Sequence, residues 1–589
     1  MDDKSLKKIA QKLLESKTFL SSDDKLALGS FKRQQQSAGL ILAKAIKEKS
    51  GGVLLADDVG LGKTMVAILV AYAFAKSDGK VLIAVPNKKL KSKWLKELKY
   101  WIKLAPDPLP EDNIIGWEIE NERLAAGKIF VATTTELLDS DIRRTQDLLI
   151  LDEAHRDQNP DEGKRASRIF KLLCNQQPNT IWRFRVFLTA TPLRIKISGL
   201  KSILRMVRGI DPQKEDEDEL DLALLEFDRS KKLKVDSNSA DFCSTFISIK
   251  EKLAPHIIRH HIENISSDER KNLGQTRHIL GNLRCFVDNS DSDCFAKIEE
   301  DAGASLVNNE DGLECTEQAA EFFTRFFRMA VLANAYDSIA QKTASLNFEY
   351  LKSKAERLRL NQTTNSRFNA HFNRFAELSE LSEIQTKQND LRIFAKKCFE
   401  IGEKFVVFCY HHETADAVHQ ALLKIWYETK DISRPECNAN QREIRSIPEL
   451  PHVSDERVRE LFNSPDNPAA LVLTNTHSEG IDLHLHCRIL VHYELTYSPH
   501  ELIQRNGRLR RVNSFGAKEG KPILYFYPYL SNTRDEQLVK IVIERANTFN
   551  RLMGGLPVMP EDSNELLKEL LKVKVDFDNE SFRTKNGLF

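Results

Sequence analysis

The segment Ala56-Asp57-Asp58-Val59-Gly60-Leu61-Gly62-Lys63-Thr64 has the residue types of a phosphate-binding loop. Two glycines let backbone amides close around phosphate oxygens, a lysine supplies a point charge, and a hydroxyl suits a magnesium ion. Asp152-Glu153-Ala154-His155 offers the complementary chemistry. Asp152 could hold magnesium, directly or through water, while Glu153 could orient or deprotonate an attacking water. Asp58, Gly60, Leu61, Gly62, Lys63 and Thr64 are therefore candidate nucleotide-binding residues, Thr64 and Asp152 candidate magnesium ligands, and Asp152 and Glu153 candidate catalytic groups. The cofactors expected are ATP and Mg2+.

These side chains need a particular scaffold, and the flanking residues spell it. Gly51 to Ala56 reads as a short buried strand before the loop, and Met65 to Phe74 as a helix after it. Leu148-Leu149-Ile150-Leu151 is an apolar run of parallel-strand type that delivers Asp152 and Glu153 to the carboxyl edge of a sheet, where α/β folds bind ligands. A glycine-rich turn without ligand, or a solvated helix start, would not need both strands. Asp57 stands where the usual phosphate loop has Gly.

With these segments in place the chain resembles a superfamily-two nucleic-acid motor, in particular the Swi/Snf-type ATPases. Ala56 to Thr64 is similar to that family's Asp-Glu-x-Gly-x-Gly-Lys-Thr loop, and Asp152 to Asn159 to its extended acidic motif. Leu188-Thr189-Ala190-Thr191-Pro192-Leu193 resembles the motif that couples the ATP site to the nucleic-acid track, with Ala190 where the family more often has Gly. Phe31-Lys32-Arg33-Gln34-Gln35-Gln36 lies where the family places an adenine-reading glutamine. The spacing favours Gln35, although Gln34 and Gln36 adjoin it and a polar helix face would read the same way.

The second half carries its own motifs. Ser478-Glu479-Gly480-Ile481-Asp482-Leu483 resembles the family's fifth motif, which puts Gly480 and Asp482 at the nucleotide. Gln504-Arg505-Asn506-Gly507-Arg508-Leu509-Arg510-Arg511 matches the pattern Gln-Arg-x-Gly-Arg-x-x-Arg, so the resemblance implies catalytic roles for Gln504, Arg508 and Arg511, the arginines as fingers. Their spacing of three lets both guanidiniums face one side of a helix and reach across a cleft. The resemblance also implies track contacts at Lys88, Thr133, Thr134, Thr189 and Thr474. Lysines and hydroxyls there suit phosphates without reading bases.

The 589 residues, 41% hydrophobic, suffice for several buried cores. Net charge is only +1, from 87 basic and 86 acidic residues, so a grip on nucleic acid must come from local stripes such as Lys88 to Lys99. Nine cysteines without Cys-x-x-Cys pairs signal neither a zinc module nor a disulfide framework. No apolar stretch approaches the ~18 residues of a membrane span, and a cytoplasmic protein of prokaryotic or viral origin is expected. His411 and His412 follow a strand without a carboxylate partner evident in sequence, which argues against catalytic use.

The expected fold is α/β, two RecA-like lobes with mostly parallel sheets plus helical insertions. Residues 1–30 read as a helical lead-in, 31–280 as the first lobe with a protrusion, 281–395 as a loop and helical insertion, 396–530 as the second lobe and 531–589 as a helical tail. Within these, Phe242 to His261 reads helical, with Arg259 resembling an arginine that closes the first lobe, and Glu561 to Lys574 reads as amphipathic. The implied activity is an ATP hydrolase that translocates on double-stranded DNA, in a remodelling, transcription, repair or defence setting that could include other subunits. A strand-separating helicase on DNA or RNA, single-stranded tracks included, and an ATP-gated binding subunit are the alternatives.

Overall fold

The computed structural model describes residues 3–15, 28–48, 51–105, 107–117, 127–138, 147–157, 164–174, 182–192, 197–209, 224, 251–262, 264–280, 387–410, 412–432, 444–450, 453–465, 468–474, 482–495, 498–529, 534–553 and 561–562. The acidic run 214–219, the Asp-, Asn- and Gly-rich segment 285–315, the helical reading from 317 to 386, Gly480 and the tail beyond Asp562 lie outside the described residues.

Apolar runs of four or five residues build the first sheet. Its strands are β1 (Gly51–Leu55), β2 (Val81–Val85), β3 (Ile114–Gly116), β4 (Ile129–Thr133), β5 (Leu148–Leu151), β6 (Phe184–Leu188) and β7 (Ile257–Ile258). The spatial order is β3-β4-β2-β5-β6-β1-β7 and every pair is parallel. Strands β2, β4, β5 and β6 are buried at every residue, as continuous Val/Ile/Leu runs demand when helices cover both faces. The helix Lys63–Lys76 is buried from Met65 to Ala75, so its apolar surface runs right round it and packs wholly inside the lobe. The helix Lys88–Lys103 is amphipathic: Asn87 caps it by accepting from Leu90 N at 2.9 Å, and Trp94, Leu98 and Ile102 form its buried stripe.

The second sheet comprises β8 (Thr276–Leu280), β9 (Phe405–Phe408), β10 (Ile444–Ile447), β11 (Ala470–Leu473), β12 (Ile489–His492), β13 (Ile523–Tyr527) and β14 (Glu561–Asp562), in the order β10-β11-β9-β12-β13-β8-β14. Only the β10–β11 pair is antiparallel. Two mostly parallel sheets with helices around them are the two RecA-like lobes that the sequence implies.

Several segments fall elsewhere than the sequence places them. Residues 257–258, expected to be helical, form β7 on the free edge of β1, with Leu54 N donating to His256 O at 2.9 Å and Ala56 N to Ile258 O at 2.8 Å. Two adjacent isoleucines favour strand, and an open edge beside β1 accepts it. Strand β8, inside the stretch assigned to the first lobe, pairs with β13 of the second. The helix Lys387–Ile401, assigned in part to the insertion, buries Leu391, Phe394, Cys398 and Phe399 in the second lobe's core. The helix Arg534–Met553 does the same with Leu538, Val539 and Val542, and Glu561–Asp562 extends the second sheet as β14 rather than starting an amphipathic helix. Core membership thus runs past the expected boundaries at 280, 395 and 530.

Candidate active site

Because β1, β6 and β5 are neighbours, the loops leaving their carboxyl ends converge. Those loops are the glycine loop after Leu55, Thr189 to Pro192 after Leu188, and Asp152-Glu153 after Leu151. Gly60 and Gly62 have φ of 88° and 81°, a left-handed backbone that a side chain would strain. A Cβ on Gly62 would also collide with the amide of Gln34, which donates to Leu61 O at 3.2 Å. Gln34 therefore contacts the loop directly, and the expected Gln35 is buried in the same helix, Leu28–Lys47.

Lys63 donates to the carbonyls of Asp57 at 2.8 Å and Asp58 at 3.2 Å. Burial pulls its pKa down, opposed by the charges of Asp57, Glu153 and Asp58. Thr64, beside it, is half-buried at the first turn of the helix. The two loop aspartates hold the loop together. Asp57 is fully buried and accepts from Arg33 at 3.2 Å and from His260 N at 2.8 Å. Asp58, expected at the nucleotide, is bound instead by Arg259 at 2.9 Å and by Ile262 N at 3.1 Å. Burial would raise Asp58, but Arg259 and then His261 outweigh it and hold the carboxyl at about 2. Arg259 also donates to Ala56 O at 2.9 Å and Ala190 O at 3.3 Å, so it ties the phosphate loop to the Thr189–Thr191 segment.

Asp152 accepts from Trp94 Nε1 at 2.8 Å and from Glu153 N at 3.0 Å. Burial raises its pKa, with the charge of Glu153 adding to the effect. Glu153 has φ of 50°, a conformation uncommon for a side-chain-bearing residue that aims its carboxylate out of the strand line. Burial raises Glu153 too, and Lys63, Arg508 and Arg156 oppose it. Lys63 and Glu153 of the first lobe therefore share an electrostatic field with Arg508 of the second. Gln504 is buried near the end of the helix Pro499–Asn506.

Arg511 goes elsewhere. It forms an ion pair with Asp482 and donates to Gly507 O at 3.2 Å. Lys93 of the first lobe lies 3.8 Å from Asp482. Burial would raise Asp482, but Arg511, Lys93 and Arg508 more than reverse it. The lobes are shut tightly here: a Cβ on Gly60 would collide with the carbonyl of Arg510, and one on Gly507 with Cγ1 of Val59. Leu61, Ile262, Ile265 and Leu273 close over the contact with Val512.

Of the expected track residues, Lys88 is exposed at the start of its helix. Thr133, Thr134, Thr189 and Thr474 are buried, so their hydroxyls do not face a track in this arrangement. Thr133 accepts from Glu136 N at 3.3 Å while Glu136 accepts from Thr133 N at 2.6 Å, a reciprocal cap that uses the hydroxyl locally. Thr189 accepts from Thr191 N at 3.1 Å and lies 3.1 Å from His155 Nδ1. Sequence reasoning passed over Arg33, His260 and His500, whose partners Glu269, Asp57 and Thr191 lie far off in the chain, and left Gln34 as a neighbour of the favoured Gln35. Cys174, Cys398, Cys409 and Cys487 are buried thiols.

No cluster of three or more His, Cys, Asp or Glu residues able to hold a metal exists among the described residues. No helix among them is long and apolar enough to cross a membrane.

Residues 29–194 match the family described as "Type III restriction enzyme, res subunit", and residues 388–513 the family described as "Helicase conserved C-terminal domain". The chain is 29% identical over 187 residues to the "DNA annealing helicase and endonuclease ZRANB3" of Homo sapiens, a match covering 30% of this chain and 16% of that protein. It is 21% identical over 529 residues to the "Uncharacterized ATP-dependent helicase YqhH" of Bacillus subtilis, covering 88% of this chain and 79% of that one. The fold is similar to the helicase domain of Pyrococcus furiosus Hef, with TM-score 0.50 and 17% identity over 85% of this chain and 96% of that one. The chain spans 16% of the length of the ZRANB3 relative it matches, and the family matches in its two RecA-like lobes, with the ATP-dependent helicase relative, support a helicase-like ATP hydrolase of superfamily two.

Proposed function

We propose that the chain is an ATP-driven motor of the Swi/Snf type that translocates along double-stranded DNA. The observation that carries this reading is the close packing of Gly507 and Arg510 of the second lobe on Val59 and Gly60 of the first lobe's phosphate loop, which brings Arg508 toward Lys63 and Glu153. In this mechanism the amides of Gly60 to Gly62 and the Lys63 amine hold the phosphates, Gln34 and Gln35 lie on the adenine side, and Asp482 approaches from the second lobe. Thr64 and Asp152 are the residues that would hold Mg2+, and each Asp152 oxygen, already accepting one hydrogen bond, keeps a lone pair for it. Nucleotide phosphates and water would supply the remaining oxygen ligands that Mg2+ prefers. Bound magnesium supplies charge neutralisation at the phosphates. Glu153 orients the water and accepts its proton, and Arg508 stabilises charge that develops as the bond breaks.

On the track side, Lys88 and Lys89 are exposed at the first turn of their helix, where backbone amides and lysines meet phosphates without reading bases. A DNA track is supported by the printed name of the ZRANB3 relative, a DNA annealing helicase. Strand separation is the second reading, favoured by the long match to a protein named an ATP-dependent helicase. ATPase rates with duplex DNA, single-stranded DNA and RNA in parallel, joined to strand-release and triplex-displacement assays, separate the two. Duplex-stimulated turnover with triplex displacement but no strand release is expected, and binding should fall steeply with salt and hardly vary with sequence. Strand release from a tailed duplex would replace the translocase with the helicase. A remodelling, transcription, repair or defence complex in the cytoplasm is the setting we favour.

A further inference from the structure

His500 is the second residue of the helix Pro499–Asn506, and nothing in the mechanism above uses it. It is buried against two elements of the other lobe. Its Nδ1 is hydrogen-bonded to the hydroxyl of Thr191, and its ring lies 3.9 Å from the ring of His155, centroid to centroid, at 58°. Both partners lead to the candidate catalytic base. His155 Nδ1 is 3.3 Å from Glu153 Oε2 and 3.1 Å from Thr189 Oγ1, and Thr189 in turn accepts from Thr191 N at 3.1 Å. A closed ring of contacts therefore joins His155, Thr189, Thr191 and His500, with Glu153 attached to it through His155, and only His500 comes from the second lobe. All but Glu153 are nearly shut off from water, with 5% or less of each surface exposed.

We propose that His500 is a positioning residue that couples lobe closure to turnover. This rests on the reading of Glu153 as the water-orienting base. His500 and Gln504 are one helical turn apart on one face, and the chain runs on from that helix to Arg508. When this helix docks, it therefore brings Arg508 toward Glu153 and His500 onto the Thr191 hydroxyl in one movement. The bond to Thr191 fixes the segment that holds His155, and His155 fixes the Glu153 carboxylate against the pull of its left-handed backbone. A low-dielectric setting makes each bond in such a ring depend on the others.

The test is ATP turnover and half-saturation in the full chain, with whichever nucleic acid stimulates the wild type most, for His500→Ala, His500→Asn, Thr191→Val and the His500→Ala/Thr191→Val pair. Removing one buried hydrogen bond that matters in the transition state should cost about tenfold in kcat. We expect that loss in His500→Ala and in Thr191→Val, with ATP half-saturation within about twofold of wild type. The double variant should be no slower than the worse single variant, because both break the same link. Asn can place a polar atom where Nδ1 stands, so His500→Asn should recover most of the rate. Losses that multiply in the pair, an Asn variant as slow as the Ala variant, or turnover of His500→Ala within twofold of wild type would each overturn the proposal. The same wild-type control judges the wider reading separately: stimulation by RNA alone would remove the duplex track yet leave the His500 comparison intact, and no ATP turnover with any nucleic acid would overturn both.

Discussion

Gly507 of the second lobe and Val59 of the first pack so closely that a single added carbon on the glycine would overlap Cγ1 of the valine. Gly507 has φ of −65° and would tolerate any side chain on backbone grounds. What it lacks is room. Gly507→Ala should therefore fold normally yet hold the lobes apart, lowering turnover by at least about tenfold while leaving ATP affinity nearly unchanged. Steady-state turnover and nucleotide titration of the purified variant check this, and full activity would mean that catalysis does not need the observed closure.

Lys63 and Glu153 should separate binding from chemistry. Lys63→Ala removes the charge that faces the phosphates and should weaken ATP binding, whereas Glu153→Gln keeps the side-chain shape, binds ATP and loses about 10² to 10⁴ in turnover. Nucleotide affinity and single-turnover hydrolysis in saturating DNA measure the two effects. Hydrolysis by Glu153→Gln at the wild-type rate would remove Glu153 from the role of base.

What could be read from sequence was what is local. Val81–Val85 and Ile523–Tyr527 are continuous apolar runs, and both are strands with the bounds their residues imply. Thr276–Leu280, assigned with the first lobe, begins Thr-Arg-His rather than with an apolar run, and it is a strand because β13 and β14 flank it. There His278 bonds Tyr527 at 2.8 Å, and burial, then the Arg510 charge, hold its pKa at about 3, so it sits in the sheet neutral. The site divides the same way. Lys63 and Glu153 announce themselves by neighbours within a few positions, whereas Asp57 finds His260 only across 203 residues and Thr191 finds His500 across 309. Asp58 shows the limit of local reading: its partner Arg259 follows β7, the strand beside β1, but lies 201 residues further along the chain.

That pairing carries a pH signature. Asp58 is held at about 2 when folded, against an ordinary 3.8, so its contribution is fully present above the ordinary value and is lost as pH falls through the folded one. A shift of this size is worth about 2 kcal/mol near neutrality and should shrink by about 1 kcal/mol between pH 5 and pH 3. Denaturant midpoints of wild type and Asp58→Asn across that interval should converge as the medium becomes more acid. A gap that stayed constant would show that Asp58 is not ionised against Arg259.

The two arginines of the Gln504–Arg511 segment should not be equivalent. Arg508 acts on Glu153, where charge would develop, while Arg511 is paired with Asp482 and donates to Gly507 O at 3.2 Å, with Lys93 3.8 Å from the same carboxylate. A finger stabilises the transition state more than the ground state, so Arg508→Ala should lose about 10³ or more in turnover and keep ATP affinity. Arg511→Ala removes a link that spans the cleft through Asp482, and should lose less, about tenfold, with Asp482→Ala reproducing the same loss. The pair of variants distinguishes the roles because removing Asp482 should reproduce the loss at an arginine that anchors on it, and should not reproduce a loss of transition-state stabilisation at Arg508. DNA-stimulated turnover and nucleotide affinity for the three variants decide the matter. Near-normal turnover in Arg508→Ala would sink the two-lobe mechanism and leave this segment as a structural support, and an Arg511→Ala loss as deep as that of Arg508→Ala, unmatched by Asp482→Ala, would make both arginines fingers.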